Sequence, residues 1–295
     1  MPRMSTPEQR AEDAGRRPER ASARPPERAS ARPRASRLLR ASRLARVGFC
    51  FLYFGLGVWL TGVTLLPLLR LRARLLGLPS EVALRNVQRA VHLFCRSFIA
   101  CMTQGMRVVE VQWVGGEALA RGPVLVVANH PSLIDTPLLL SRMPQADFIV
   151  SPDWLRLAWL RGTVAAAEYM HSEDGPEVVR EAVARLRAGR SVVVYPEGSR
   201  TPAEGLRRFQ RGAAHIALDA GCDILPVTIQ VAPRALMRGD RLTDYPLANP
   251  IWRVEVGEPI RPEPSGDDEP RALAARRLTG VLEEYFEKRC GRGRS

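Results

Sequence analysis

A long uncharged run dominates the hydrophobic pattern of the first third of the chain. Val47–Leu69 reads VGFCFLYFGLGVWLTGVTLLPLL, 23 residues without a charge. At about 1.5 Å per residue, a helix of this length can cross a hydrocarbon core of about 30 Å. The run therefore predicts a membrane-associated helix, and it favours this over a buried helix of a soluble protein, whose uncharged runs usually stop sooner. Residues that permit a bent, half-inserted helix interrupt the run: Gly55, Gly57, Gly62 and Pro67.

Apolar residues recur at helical spacing in the following segment. One predicted helix face carries Leu84, Val87, Val91, Phe94, Phe98 and Cys101. The other face carries Arg85, Arg89, His92 and Arg96. Such an amphipathic helix with a basic side can lie at a lipid headgroup boundary or pack on a neighbouring domain, and the pattern leaves both open.

From Met106 onwards, short apolar runs alternate with helical stretches. The predicted strands are Val108–Val114, Val124–Ala128, Phe148–Val150, Ser191–Tyr195, Ile224–Val231 and Trp252–Val256. The clearest predicted helices are Glu177–Ala188, Gly212–Ala220 and Arg271–Arg289. This alternation predicts an α/β fold, an open mixed sheet with flanking helices, in residues 106–295. An N-terminal membrane-associated helical segment, residues 47–105, precedes it.

Charge sets the first 46 residues apart from the rest. The chain has a net charge of +13, and residues 1–46 hold thirteen arginines against five acidic residues. The segment PERASARP occurs twice in succession there, without aliphatic periodicity, so residues 1–46 are predicted to form a disordered tail. The tail is either simply solvated or attracted to anionic headgroups. Nucleic acid is not an expected partner, because no aromatic residues interleave with the arginines.

The cysteines and glycines exclude several classes of site. Five scattered cysteines form no C-x-x-C pair, and no histidine lies at zinc-ligand spacing, so neither a disulfide framework nor a metal site is expected. Unpaired thiols fit a reducing cytoplasm. The absence of G-x-G-x-x-G, Walker and G-x-S-x-G sequences disfavours a nucleotide fold and a serine hydrolase.

Polar residues follow the predicted strand Val124–Ala128. The chain continues as NHPSLID, which contains His130 and, five residues later, Asp135. A histidine at a strand end can act as a general base when a carboxylate holds its second ring nitrogen. The two residues would not share a face of one helix, but they can meet if His130 ends the strand and Asp135 opens a helix. Pro131 favours such a break, because it restricts the residue before it to extended conformations.

A second polar segment, YPEGSR, follows the predicted strand Ser191–Tyr195. Its glycine offers open backbone N–H groups, and Arg200 offers a guanidinium for a phosphate or carboxylate. Further arginines follow at positions 207, 208 and 211. Beside a histidine at a strand end, these residues predict a site for an anionic substrate.

The two segments together resemble signature blocks of the glycerolipid acyltransferases, the family of the lysophosphatidic acid acyltransferases. NHPSLID resembles the H-x4-D block and YPEGSR the third block, while the strand that ends in ILPV resembles the fourth. The resemblance covers roughly Arg107 to Glu258. It implies a membrane-bound enzyme that transfers a fatty acyl group from acyl-CoA or acyl carrier protein to a lipid hydroxyl. It implies no metal and no tightly bound cofactor. Because acyl thioesters are made in the cytoplasm and the unpaired cysteines fit a reducing compartment, the catalytic domain is expected at the cytoplasmic membrane, facing the cytoplasm.

The resemblance also implies roles for matching positions. His130 would deprotonate the acceptor hydroxyl, Asp135 would orient it and balance its charge, and Pro226 would shape the pocket wall. The acceptor's polar head would be bound by Glu197, Gly198, Ser199, Arg200 and Arg211.

One block departs from the family pattern. The second block usually ends in an arginine that grips the glycerol phosphate, and His171 stands about where that arginine is expected. Two acceptors therefore stay open, a lysophosphatidic acid and an acceptor without phosphate, such as an amino-acid lipid. A catalytically dead membrane scaffold is the third hypothesis, and the intact His130 and Asp135 argue against it.

Overall fold

The computed structural model describes residues 31–151, 156–171, 175–202, 205–263 and 269–291. The chain divides into a unit that ends at Leu39 and a unit from Arg40 onwards, and the contacts below belong to the second. The strands are β1 Glu110–Val114, β2 Leu125–Ala128, β3 Asp147–Val150, β4 Met170–His171, β5 Val192–Val194, β6 Ile224–Ala232 and β7 Ile251–Val256. The helices are α1 Ala31–Leu60, α2 Leu66–Leu75, α3 Ser80–Ala100, α4 Asp135–Leu140, α5 Ala158–Ala166, α6 Pro176–Arg187, α7 Gly212–Ala220 and α8 Arg271–Cys290.

The seven strands form one open sheet in the order β1-β7-β6-β2-β5-β3-β4. Neighbours are parallel except β6 and β7, which are antiparallel. The predicted mixed α/β sheet is thus confirmed. The sequence pattern missed β4, which has only two residues and pairs with β3 alone. A strand this short carries no periodicity from which it could be predicted.

Side chains alternate between two cores, one on each face of the sheet. In β2, Val126 and Ala128 join a core built with α1, α3, α4 and α5, whereas Leu125 and Val127 join a core built with α6, α7 and α8. Because both faces are covered, the central strands read as continuous apolar runs. The carboxyl ends of β2 and β5 meet at one edge of the sheet.

The long N-terminal helix begins earlier than the sequence pattern predicted. α1 starts at Ala31, so residues 31–46 of the expected disordered tail are helical. Alanine, leucine and arginine are strong helix formers, and a proline is tolerated within the first turn, which accounts for the correction. Residues 1–30 lie outside the described residues, and the division at 46 and 105 stays a prediction.

A π-helical turn, Thr61–Leu65, joins α1 to α2 without breaking the helical path. Among the described residues, one helical stretch, Arg37–Leu75, is long and apolar enough to cross a membrane. Glycines let the stretch approach the rest of the unit closely. A Cβ on Gly57 would lie 2.3 Å from the Phe94 ring, and one on Gly62 would lie 3.1 Å from the backbone nitrogen of Thr163.

The amphipathic helix α3 packs its apolar face against the protein. Leu84, Val87, Val91 and Phe98 are buried, and Arg85, Arg89 and Arg96 are exposed. His92, expected on the polar face, is buried, and its Nδ1 lies 2.7 Å from the carbonyl oxygen of Leu140 on α4. Of the two alternatives left open by the pattern, the structure supports packing for the apolar face.

Candidate active site

The side chain of Asn129 fixes the point at which the polar segment leaves β2. Its Nδ2 donates to the carbonyl oxygen of Ile229 at 2.9 Å, and its Oδ1 accepts from the Ile229 N–H at 2.7 Å. Ile229 lies on β6, two residues beyond the last backbone partner of β2. The asparagine therefore continues the ladder with its side chain and holds the adjacent His130 at the carboxyl edge of the sheet.

His130 and Asp135 meet, as the sequence argument required. His130 follows the end of β2, and Asp135 is the first residue of α4. His130 Nδ1 lies 2.9 Å from Asp135 Oδ2, the Asp135 side chain is fully buried, and the His130 side chain is 13% exposed. A buried carboxylate thus holds one nitrogen of a partly accessible imidazole and leaves Nε2 for a substrate.

Asp135 is held by further donors. The backbone N–H of Ser132 donates to Asp135 Oδ2 at 2.6 Å, and the Ser132 hydroxyl donates to Oδ1. The same hydroxyl accepts from Trp252 Nε1 at 2.9 Å. Hydrogen bonds to a carboxylate favour its charged form, so these donors offset the cost of its burial.

Tyr195 holds the plane of the imidazole. The rings of His130 and Tyr195 stack with centroids 4.3 Å apart and an interplanar angle of 18°. The Tyr195 hydroxyl lies 3.1 Å from Thr136 Oγ1 on α4. Burial raises the pKa of Tyr195 well above its ordinary value, with a smaller contribution from the charge of Asp135, so the ring is a neutral phenol. The imidazole is therefore restrained both at its edge and across its face.

Glu197 faces the protein and not the open edge of the site. It is 4% exposed. Its carboxylate accepts from the His130 N–H at 3.2 Å, from the Arg207 N–H at 3.1 Å and from the Thr201 hydroxyl. Burial raises the pKa of Glu197 although these donors act against the shift. The expectation that Glu197 binds the acceptor's head is not supported, because its oxygens already tie YPEGSR to the His130 segment.

Gly198 is required by the backbone of this turn. Its φ is +68°, in the left-handed region, and a Cβ would lie 2.5 Å from Gln210 Nε2. The backbone N–H of Gln210 in turn donates to the carbonyl oxygen of Pro196 at 2.7 Å. A side chain at Gly198 would therefore strain the turn and displace Gln210.

Three arginines lie near this turn or in the segments that border it. Arg200 is half-buried, and Arg211 is exposed at the start of α7. Arg238 lies between β6 and β7 and reaches Ser199, with 3.5 Å between its Nη1 and Ser199 Oγ. Within the described ranges, none of the three guanidinium groups forms an ion pair. Arg238 was missed by the sequence argument, because its segment approaches the site only through the fold.

The segment that carries Arg238 is attached to the loop between His130 and Asp135. The Leu133 N–H donates to the carbonyl oxygen of Leu236 at 2.9 Å, and Ser132 pairs with Met237 in an isolated antiparallel bridge. The segment is stiffened by Asp240, which accepts from the Met237 N–H at 2.8 Å and pairs with Arg234.

Pro226 and His171 lie apart from the His130–Asp135 pair. Pro226 is buried in β6, where it pairs with Val127 of β2. Its side chain lies near Gly257, on the face of the sheet that the α6–α8 core covers. It is not among the residues that line the apolar cavity described below, so its predicted place in the pocket wall stays a prediction. His171 ends β4, three strands from β2, and its buried Nδ1 has no hydrogen-bond partner among the described residues.

An apolar cavity of about 310 Å³ adjoins the site, on the face of the sheet that carries α1, α3, α4 and α5. It is enclosed by α1, α3, α4 and α5, and its lining includes Val58, Phe94, Phe98 and Leu160. Ile134 and Thr136 also line it, and they flank Asp135. The cavity therefore reaches the segment that holds the catalytic pair predicted from the sequence.

No group of metal ligands is found in the part of the chain that the structure describes: no three His, Cys, Asp or Glu side chains lie together. All five cysteines are free thiols. Burial raises the pKa of the Cys290 thiol to about 12, which makes it a poor nucleophile at neutral pH.

Residues 110–230 match the model of the family described as "Acyltransferase". The chain is 31% identical to the lyso-ornithine lipid O-acyltransferase of Pseudomonas aeruginosa over 196 residues, 65% of this chain and 67% of that protein. It is 30% identical to the probable 1-acyl-sn-glycerol-3-phosphate acyltransferase of Mycoplasma pneumoniae, over 51% of this chain and 57% of that protein. It is 28% identical to the 1-acyl-sn-glycerol-3-phosphate acyltransferase of Escherichia coli, over 54% of this chain and 65% of that protein.

The fold is similar to the crystal structure of the 1-acyl-sn-glycerophosphate acyltransferase of Thermotoga maritima. The TM-score is 0.60 at 24% sequence identity, and the match covers 82% of this chain and 97% of that one. The matched family region contains β1 to most of β6, and with them His130, Asp135 and the YPEGSR turn. Sequence, fold and these matches agree that the chain belongs to the acyltransferase family.

Proposed function

We propose that this protein transfers a fatty acyl group from a thioester donor, acyl-CoA or acyl carrier protein, to the hydroxyl of a lyso-lipid. The observation that carries the proposal is the imidazole of His130, held by the buried Asp135 beside an apolar cavity of about 310 Å³. The pair supplies a base for a hydroxyl, and the cavity supplies space for a hydrocarbon chain.

Direct transfer to the acceptor follows from this arrangement. Asp135 accepts a hydrogen bond from Nδ1–H, so Nε2 carries a lone pair and takes the proton of the acceptor hydroxyl. The acceptor oxygen attacks the thioester carbonyl, the C–S bond breaks, and the thiolate receives the proton from Nε2. The products are an ester and a free thiol. The negative charge of Asp135 stabilises the imidazolium that exists between the two proton transfers.

The cavity is the proposed site of an acyl chain. Phe94 and Phe98 from α3, Val58 from α1 and Leu160 from α5 give it an apolar lining. Burying one methylene group stabilises a complex by about 0.8 kcal/mol, so the burial of several carbons offsets the entropy lost when the chain is ordered in the cavity. The chain's reactive end would then lie near Thr136, beside the His130–Asp135 pair.

Cationic side chains in and around the YPEGSR turn suit an anionic head. Arg200, Arg211 and Arg238 are the proposed contacts, and Ser199, within 3.5 Å of Arg238 Nη1, offers a hydroxyl. A guanidinium binds both phosphate and carboxylate, so these residues do not by themselves distinguish the two acceptors.

We infer that an amino-acid lipid of the lyso-ornithine type is the favoured acceptor, with 1-acyl-glycerol-3-phosphate as the second candidate. The relative at 31% identity acts on lyso-ornithine lipid according to its name. His171 also stands about where the arginine that grips a glycerol phosphate is expected, and an imidazole offers a phosphate at most two donors, whereas a guanidinium offers five in a fork. Relatives at 23–30% identity that are named 1-acyl-sn-glycerol-3-phosphate acyltransferases, one of them as probable, keep the phosphate acceptor as a candidate.

We further propose that the long helix lies in one face of the cytoplasmic membrane, with the catalytic domain in the cytoplasm. The domain binds the helix at both ends of its uncharged run, Val47–Leu69. Arg46 donates to the carbonyl oxygen of Met106 at 3.2 Å, and Arg70 donates to that of Ala166 at 2.9 Å. These two arginines are separated by about 36 Å along a helix, more than a hydrocarbon core of about 30 Å, so a helix that crossed the membrane would draw one contact away from the domain.

The outer side of the same helix suits contact with lipid. Large apolar side chains are exposed at helical spacing along it: Phe49, Leu52, Leu56, Trp59, Leu60, Val63, Leu68, Leu71 and Leu75. Reporter fusions at the two ends of the chain test this topology. Both should report the cytoplasm, and a C-terminus on the far side would contradict it.

The proposed reaction is tested with the purified protein in vesicles that contain one candidate acceptor and receive radiolabelled acyl-CoA or acyl carrier protein. Formation of a labelled diacyl lipid is expected from the wild type. His130→Ala should lower the rate by about 10²–10⁴-fold at unchanged membrane binding. More than about a third of wild-type turnover in that variant would remove His130 from the mechanism.

The acceptor is tested in the same vesicles by comparing lyso-ornithine lipid with 1-acyl-glycerol-3-phosphate. The first should be used with the higher kcat/KM. His171→Arg should then raise kcat/KM for the phosphate acceptor. The variant's kcat/KM for the ornithine acceptor should not exceed that of the wild type. A preference of the wild type for the phosphate acceptor would reverse the assignment without affecting the acyl-transfer chemistry.

A further inference from the structure

Trp252 reaches the catalytic loop from a distant part of the chain. It is the second residue of β7 and is fully buried. Because β7 runs antiparallel to β6 and Trp252 pairs with Val231, the start of β7 lies near the carboxyl end of β6. From there the indole nitrogen donates to Ser132 Oγ at 2.9 Å.

Ser132 connects this indole to the catalytic pair. It is fully buried, its N–H donates to Asp135 Oδ2 at 2.6 Å, and its hydroxyl contacts Asp135 Oδ1. An indole N–H can only donate, and a hydroxyl has a single proton. Because Ser132 Oγ accepts the indole proton, its own proton is free to be directed at Oδ1. The indole thereby favours the one rotor position of Ser132 that stabilises the Asp135 carboxylate.

We propose that Trp252 is a positioning residue of the acyl-transfer reaction, acting through Ser132 on the orientation of Asp135. Ser132 donates a hydrogen bond to each carboxylate oxygen of Asp135, and this prevents rotation of the carboxylate. Oδ2 therefore stays aligned with His130 Nδ1. The inference rests on the proposed role of the His130–Asp135 pair. It adds a hydrogen-bonded chain from β7 to the reacting imidazole, Trp252 to Ser132 to Asp135 to His130, that lies outside the NHPSLID and YPEGSR segments.

The first experiment removes the indole N–H. Trp252→Phe in the full-length protein should lower kcat by about 10-fold, because the variant loses one hydrogen bond to Ser132, which itself binds the Asp135 carboxylate. KM for donor and acceptor should stay within about 2-fold of wild type. Trp113→Phe is the matched control. Trp113 lies on β1, the neighbouring strand, and its ring packs under Arg142 with 5.0 Å to the centroid. This control should keep wild-type kcat, and thermal unfolding of both variants sets an assay temperature at which each is folded.

A double-mutant cycle distinguishes positioning from packing. Ser132→Ala removes the hydroxyl that transmits the effect, so adding Trp252→Phe to it should lower kcat by less than about 2-fold further. A loss in the double variant equal to the product of the two single losses would overturn the proposal, as would a Trp252→Phe effect on KM alone. If Trp252→Phe does not fold, Ser132→Ala decides: wild-type kcat in that variant would overturn the proposal, and a loss of about 10-fold or more at unchanged KM would support it.

Failure of this inference is separable from failure of the proposed function. If His130→Ala keeps its activity, the proposed base is wrong. If His130→Ala is inactive while Trp252→Phe has wild-type kcat, the acyl-transfer mechanism stands and only the positioning role of Trp252 is lost.

Discussion

Replacing Asp135 by asparagine tests the central electrostatic claim with little change of shape. In the wild type, Oδ2 accepts from His130 Nδ1 at 2.9 Å and from the Ser132 N–H at 2.6 Å, while Oδ1 accepts the Ser132 hydroxyl. If the amide in Asp135→Asn placed its NH₂ at the Oδ2 position, this donor group would face two other donors, His130 Nδ1–H and the Ser132 N–H, and no acceptor. We therefore expect the NH₂ at the Oδ1 position, where the Ser132 hydroxyl can rotate and accept.

This orientation keeps the imidazole in place and removes only the charge. Two unit charges about 4 Å apart interact by about 4 kcal/mol at an effective dielectric constant of 20, which sets the scale of the interaction that stabilises the imidazolium. At about 1.4 kcal/mol per tenfold change, kcat should fall by up to about 10³-fold. Loss of the correct tautomer as well would increase this towards 10⁴-fold.

The assay is single-turnover transfer of a radiolabelled acyl group with the enzyme in excess, so that product release does not mask the chemical step. KM for both substrates should change little, because Asp135 is fully buried and does not contact them. The double variant His130→Ala, Asp135→Asn should be no slower than His130→Ala alone, since Asp135 acts through His130. A folded Asp135→Asn protein that kept more than about a third of wild-type kcat would refute the reasoning.

Three further predictions concern stability and chain length. Arg43, which is 7% exposed, donates to the carbonyl oxygens of Pro246 and Ala248 at 2.6 and 2.9 Å. Arg43→Met should therefore lower the free energy of unfolding, measured by urea titration, by about 2 kcal/mol, and Arg40→Met is the exposed control. Because burial raises the folded-state pKa of Glu197, its contribution to stability is present at low pH and lost as the pH rises through that pKa. The unfolding temperature of the wild type relative to Glu197→Gln should therefore increase as the pH falls from about 8 to about 5. Val58→Trp should fill part of the cavity and shift the kcat/KM ratio towards short-chain donors by about 10-fold or more, and an unchanged chain-length profile would place the acyl chain elsewhere.

The parts of the site that are adjacent in sequence could be predicted from it. Both His130 and Asp135 lie within seven residues at the end of a buried strand, and Pro131 indicates the break that lets them meet. The alternating apolar runs likewise predicted six of the seven strands within a few residues of their ends. Local pattern was sufficient because each of these features is determined by neighbours in the chain.

Features that depend on distant contacts could not be predicted. Trp252 lies 120 residues from Ser132, and no spacing rule connects them. The inward direction of Glu197 depends on backbone N–H groups of His130 and Arg207, which sequence letters do not reveal. Arg238 was missed for the same reason, because its segment meets the loop between His130 and Asp135 only through the fold, at the Leu133–Leu236 hydrogen bond and the Ser132–Met237 bridge.

The attachment of the long helix at both Arg46 and Arg70 has a consequence for the membrane as a whole. An enzyme held in one face of the membrane, as proposed above, would meet acceptors from one leaflet and return its product to the same leaflet. If the proposed reaction occurs there, each turnover would replace a single-chain lipid by a two-chain lipid, so the cross-sectional area of that leaflet would grow while the other is unchanged. The resulting area difference favours curvature towards the opposite side until lipids are translocated between leaflets. Balanced growth of the bilayer would therefore depend on a lipid-translocating activity supplied by another protein.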